Sequence, residues 1–138
     1  MPLPDRMALP INPDVAGLIG RLALGAIFIV HGWPKIKDPR KTQEWVKGTG
    51  WPGGGTFALL FTFLEFFGGI ALILGLLTQV VAFLFFLEMI ATTIFSKTKL
   101  QKKFVLGYEL DIGYATLALV LALIGPGGWS IDRVLGLA

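Results

Sequence analysis

The chain has 138 residues, of which 54% are apolar and 15% charged, with a formal net charge of +3. A soluble domain ordinarily carries roughly 25% charge, and a small globule has too little interior to hide so much apolar side chain, so an ordinary soluble domain is excluded and a membrane protein is indicated. With no cysteine and a single histidine, disulfides, thiolate metal sites, iron–sulfur clusters and, within one chain, a bis-histidine haem are excluded as well.

Residues 1–14 hold four prolines and lack a basic stretch followed by an apolar core. They read as an irregular extramembrane leader and not as a secretory signal. The rest, 15–138, reads as one domain with four apolar spans at about 15–33, 56–77, 79–95 and 104–124. Each is near the ~20 residues needed to cross ~30 Å of hydrocarbon. The expected fold is an all-α membrane protein, an antiparallel bundle of four transmembrane helices with an amphipathic first loop and a short C-terminal cap.

The first span, "VAGLIGRLALGAIFIVHGW", carries Arg21 and, at its end, His31. In the loop that follows, Pro39 to Lys47 suits either a short helix lying on the membrane, with Trp45 and Val46 dipping inward, or a solvated basic loop. "GWP" at residues 32–34 and again at 50–52 marks turns at the interface.

The second span holds Glu65 about nine residues, or ~13 Å, from its start, and the third holds Glu88 at a similar depth. Thr78 and Gln79 leave almost no loop between these spans, so the two carboxyls are expected near mid-depth on neighbouring helices. Gly68, Ala71, Leu72 and Gly75 follow Glu65 at spacings of three and four, a lining of small residues that turns the glutamate toward protein. Arg21, ~9 Å from its own end, is expected to reach toward both acids. The blander alternative is an Arg21–carboxylate network that only fixes helix register.

The fourth span begins with "GYELD". Glu109 and Asp111 lie about 200° apart on a helix and cannot share a face. Asp111 falls with Tyr108 and Tyr114 on an inward stripe. Glu109 either reaches loop lysines or satisfies backbone donors of the first turn. At the end, Ser130 suits the N-cap of a terminal turn, with Asp132 and Arg133 tying it down.

Charged side chains at mid-depth cost roughly 2.5–3.5 kcal/mol each on insertion scales, so they need partners. Four acids share one arginine and one histidine, and at least one of Glu65 and Glu88 is expected to be protonated at neutral pH. The candidate ligand or proton cluster is Arg21, Glu65, Glu88, His31, Asp111, Glu109, Tyr108 and Tyr114. No metal-ligand spacing is present and no metal is expected; catalytic and cofactor-binding residues are not assigned.

The fragments "RLALGAIFIVHGWPKI", "LEFFGGIALILGL" and "GYELDIGYATLALVLALIGPGGWSIDRVL" together resemble the DoxX family of small four-helix membrane proteins, over about residues 17–135. The family pattern falls on Arg21, His31 with Gly32, Glu65 with Gly68 and Gly69, Glu109 with Asp111, and the Gly125–Pro126–Gly127 turn with Ser130 and Asp132. Glu88 lies outside it. The family is named through its relationship to the small subunit of an archaeal thiosulfate:quinone oxidoreductase, and some relatives are linked with redox partners and oxidative-stress defence. The resemblance thus implies a redox-linked accessory or anchor subunit, with quinone as the cofactor to look for. Two alternatives stay open: a transporter of a small molecule or lipid headgroup, and a purely architectural ion network. Enzymatic activity is left open.

Lys35, Lys37, Arg40, Lys41 and Lys47 in one loop and Lys97, Lys99, Lys102 and Lys103 in the other face only Arg6 and Arg133 on the opposite side. By the positive-inside rule the basic loops are cytoplasmic, both termini lie outside, and the protein is multi-pass in the cell membrane. Basic clusters beside apolar spans suit anionic lipid and not nucleic acid. The expected partners are the bilayer, a membrane or soluble redox protein, and a second copy of the chain.

Overall fold

The computed structural model describes residues 9–138. Within them all regular structure is helical: α1 (Pro13–Lys37), α2 (Pro39–Gly48), α3 (Gly54–Leu74), α4 (Thr78–Thr98), α5 (Glu109–Ile124) and α6 (Ile131–Val134). Four segments are long and apolar enough to cross a membrane: α1, α3, α4 and the stretch Phe104–Ile124 that ends in α5. Of the expected leader, residues 1–8 and with them Arg6 lie outside the described residues, and the helix begins at Pro13, inside the range read as irregular.

Local signals account for the helix ends. Asn12 accepts a hydrogen bond from Val15 N at 3.1 Å, and Pro13 at the first helical position forfeits an N–H that has no partner there. The helix does not stop at Trp33 as expected. It runs through Pro34 to Lys37, because proline in a last turn sacrifices a single hydrogen bond. It stops at Asp38, which the following Pro39 holds out of the helical region and whose side chain caps α2. Of the two readings of the first loop, the structure has the helix, one residue longer than read.

In α3 the turn Leu64–Gly68 is a π-helix, with one residue more per turn than its neighbours. The helix ends at Gly75 in the left-handed region, where Leu76 N donates to Ala71 O at 2.8 Å in the pattern of a glycine C-cap. The fourth span also differs from its reading. Val105, Leu106 and Gly107 are non-helical, and the regular helix starts at Glu109. Leu106 is left-handed at φ 57°, and Gly107 beside it, at φ −128°, ψ −117°, takes a backbone shape closed to larger residues.

Helix packing follows the small residues. Gly25 of α1 and Gly69 of α3 lie back to back: a Cβ on either would stand 2.7 or 2.8 Å from the other's carbonyl oxygen. Gly32 meets the backbone of Phe66 in the same way. α4 and α5 are joined at both ends, where Gln79 donates to Ala122 O and Ser96 donates to Asp111. The core lies between, with Leu24, Phe28, Leu72, Phe85, Ala118 and Leu121, and with the rings of Phe28 and Phe85 stacked 3.8 Å apart.

Candidate functional site

The polar groups divide between the two ends of the bundle, and Arg21 is not where its expected partners are. It is buried toward the end opposite the lysine-rich loops. There its Nε donates to Pro126 O at 2.9 Å, Nη1 to Leu72 O and Ile73 O, and Nη2 to Trp129 O. The guanidinium therefore clamps the end of α3 to the Gly125–Ser130 turn. The expectation that Arg21 reaches toward Glu65 and Glu88 is not met. The carbonyls freed at the end of α3 and in the glycine–proline turn are closer and accept from all three of its nitrogens.

Asp132 completes that end. It is buried and accepts from Leu77 N at 2.6 Å and Thr78 N at 2.8 Å, so it caps α4 from 55 residues away. Ser130 caps α6 as read, accepting from Arg133 N. Arg133 is exposed and forms no ion pair among the described residues, where the tie is made by Asp132 and by Asp14, which accepts from Gly128 N at 2.7 Å.

At the lysine-rich end lies a cavity of about 320 Å³. Its deep wall is Phe28, Ala58, Glu65 and Met89; farther out are His31, Lys35, Trp45, Trp51, Phe95, Lys102, Asp111 and Tyr114. Lys35 Nζ donates to both carboxylate oxygens of Glu65, at 2.9 and 2.8 Å. Glu88 lies behind them. Its side chain is buried, neither oxygen has a hydrogen-bond partner among the described residues, and its carboxyl is near enough to that of Glu65 and to the ammonium of Lys35 to interact with them.

The sequence cluster is thus split. Glu65, His31, Asp111 and Tyr114 line one cavity, with the His31 and Tyr114 rings edge to face at 6.3 Å. Glu88 adjoins it through Glu65. Asp111 is engaged by the Ser96 hydroxyl at 2.9 Å. Tyr108 and Glu109 stay outside. Tyr108 packs on Phe104 under the Lys97 ammonium, and Glu109 accepts from Leu106 N at 2.7 Å, the local role of its two readings. Among the described residues no three His, Asp or Glu side chains come together as metal ligands.

Lys35 is the site residue that the sequence reading passed over, counting it as a loop charge. The signal was present: Lys35 follows His31 by four residues, one turn of a helix that continues past Pro34. Reading "GWP" as a helix end hid it.

Four apolar helices around a mostly apolar cavity define a small integral membrane protein. The chain belongs to the DoxX family, whose model matches residues 16–98. It is 34% identical over 124 residues to inner membrane protein YqjF of Escherichia coli (strain K12), covering 88% of this chain and 93% of that protein. It is 29% identical over 119 residues, 86% of each chain, to a Bacillus subtilis (strain 168) protein named "Putative oxidoreductase CatD". Inner membrane protein YphA of E. coli (strain K12) is 27% identical over 122 residues, covering 84% of this chain and 87% of that protein. No solved structure matches the chain.

Proposed function

We propose that the protein is an accessory or anchor subunit of a membrane redox system, and that the cavity at its lysine-rich end holds a planar hydrophobic ligand of the quinone type. The observation that carries this reading is one cavity in which aromatic walls meet the Lys35–Glu65 pair, with Glu88 buried behind it without a donor. Stacked and edge-on rings suit a flat apolar body, and a few convergent polar groups fix its head. The oxidoreductase name of the Bacillus relative supports a redox setting.

A quinone, when bound, supplies two-electron redox chemistry with uptake or release of protons. The chain's own part is to seat the ring and handle the proton. Glu65 is paired with Lys35. Glu88 holds a proton, since a buried carboxylate with neither donor nor cation of its own, beside a second carboxylate, is the costlier state. The basic loops face the cytoplasm, following their lysine and arginine bias.

The test is extraction. Protein purified from native membranes in mild detergent retains quinone, detected by mass spectrometry of the organic extract, and Glu65→Gln lowers that yield severalfold at equal protein recovery. Extracts free of quinone would overturn the reading.

A further inference from the structure

Beneath the ring-lined walls, the ion balance around Glu65 points to a ligand class and to a coupled proton. Two carboxyls, Glu65 and Glu88, lie together, and one cation, Lys35, contacts Glu65. The side chain of Lys35 is 37% exposed while that of Glu65 is 7% exposed. The ammonium ends a flexible four-carbon stem, so the cation of the pair is free to turn into the cavity and the carboxylate is not. The other charged or titratable groups around the pair cannot take its place at Glu65. His31 and Tyr114 pair with each other across the cavity, Asp111 is a third acid and accepts from Ser96, and Lys102 stands in the loop before α5. Arg21 is fully engaged at the far end.

We propose that the cavity binds aromatic or otherwise planar molecules bearing an acidic group, and that their anionic head takes Lys35 from Glu65 with uptake of one proton by the Glu65–Glu88 pair. This rests on the reading of the cavity as a ligand site but not on the ligand being a quinone. Before binding, Lys35 neutralises Glu65 and Glu88 holds a proton. After it, Lys35 neutralises the ligand's anion, and Glu65 is left buried beside Glu88 without a cation. An uncompensated carboxylate there is the expensive state, so a proton from water at the cavity mouth joins Glu65 and both glutamates are neutral. No covalent bond changes other than this protonation. The net event is binding of an anion together with a proton.

The experiment uses the whole protein in phosphatidylcholine nanodiscs, with 2-naphthoate as probe and 2-naphthamide as its neutral counterpart. Calorimetric titration in buffers of differing ionisation enthalpy reads the protons taken up per ligand. Near neutral pH, 2-naphthoate takes up about one proton and its affinity falls roughly tenfold per unit rise in pH, while 2-naphthamide takes up none. Glu65→Gln, already neutral, binds 2-naphthoate with no proton uptake and a flat pH profile. The wild-type measurement decides the matter even if that variant fails to fold. Binding of 2-naphthoate without proton uptake, equal uptake with the amide, or failure of 2-naphthoate to bind would each overturn the proposal. The same preparations are extracted for quinone. Quinone retained without linked uptake sinks this inference alone, and linked uptake without quinone sinks only the redox reading.

Discussion

Lys35 and Glu65, 30 residues apart, form a two-pronged ion pair across the α1–α3 interface, with Nζ at 2.9 and 2.8 Å from the two carboxylate oxygens. Its lysine is helical because α1 continues past Pro34, and its glutamate stands in the π-turn of α3.

This pair should couple energetically. Lys35→Met leaves Glu65 buried and unbalanced, and Glu65→Gln leaves a half-exposed lysine that water can serve. The first change is expected to cost more than the second, and the double variant less than their sum. A coupling of about 1–3 kcal/mol is expected from a double-mutant cycle on unfolding in detergent micelles. Strict additivity would show that the two side chains do not act together.

Glu88→Gln tests the proton on Glu88. If that carboxyl is neutral, the amide is a close substitute and stability changes by less than about 1 kcal/mol. Isotope-edited infrared spectra should show a protonated carboxyl band at neutral pH that Glu88→Gln removes. Its persistence in that variant would assign the proton elsewhere.

The opposite end is predicted to be the more fragile. Arg21→Met strips four hydrogen bonds and leaves carbonyls in a buried place. At ~1–3 kcal/mol for each unsatisfied group, reduced by rearrangement of the turn, the loss is on the order of 3 kcal/mol. Arg21→Lys, with one nitrogen in place of three, should recover less than half. Chemical unfolding in micelles measures both, and a neutral Arg21→Met would remove the clamp from the description.

Two glycines give a contrast with opposite signs. Gly25→Ala puts a methyl 2.7 Å from the carbonyl oxygen of Gly69, a backbone atom that cannot turn away. A helical alanine gains up to ~1 kcal/mol over glycine, but overpacking costs ~1–3 kcal/mol, so the net change should be destabilising. At Gly113 of α5 nothing lies within 4 Å, so Gly113→Ala keeps the propensity gain alone. Thermal melts of the two variants in the same detergent decide it.

Much of this is legible in the sequence. Span number, the inward turn of Glu65 and the capping role of Ser130 follow from hydropathy, small-residue spacing and one hydroxyl, all of them local signals. Arg21 was misplaced because burial depth along one helix says nothing about which carbonyls another segment brings alongside, here those of Pro126 and Trp129. Lys35 was missed because proline is read as a stop, whereas in a last turn it forfeits only one bond. The π-turn at Leu64–Gly68 leaves no periodic trace in a segment apolar on every side.

The cap that Asp132 provides for α4 has a consequence for biogenesis. Leu77 N and Thr78 N can be inserted with their helix long before Asp132, 55 residues downstream, has been made. Helices can thus enter the bilayer one by one, but the hinge joining the second and third spans stays open until the fourth has followed. Insertion and final locking are then separate events, and an interrupted chain would leave a loose hairpin exposed to the membrane's quality-control proteases.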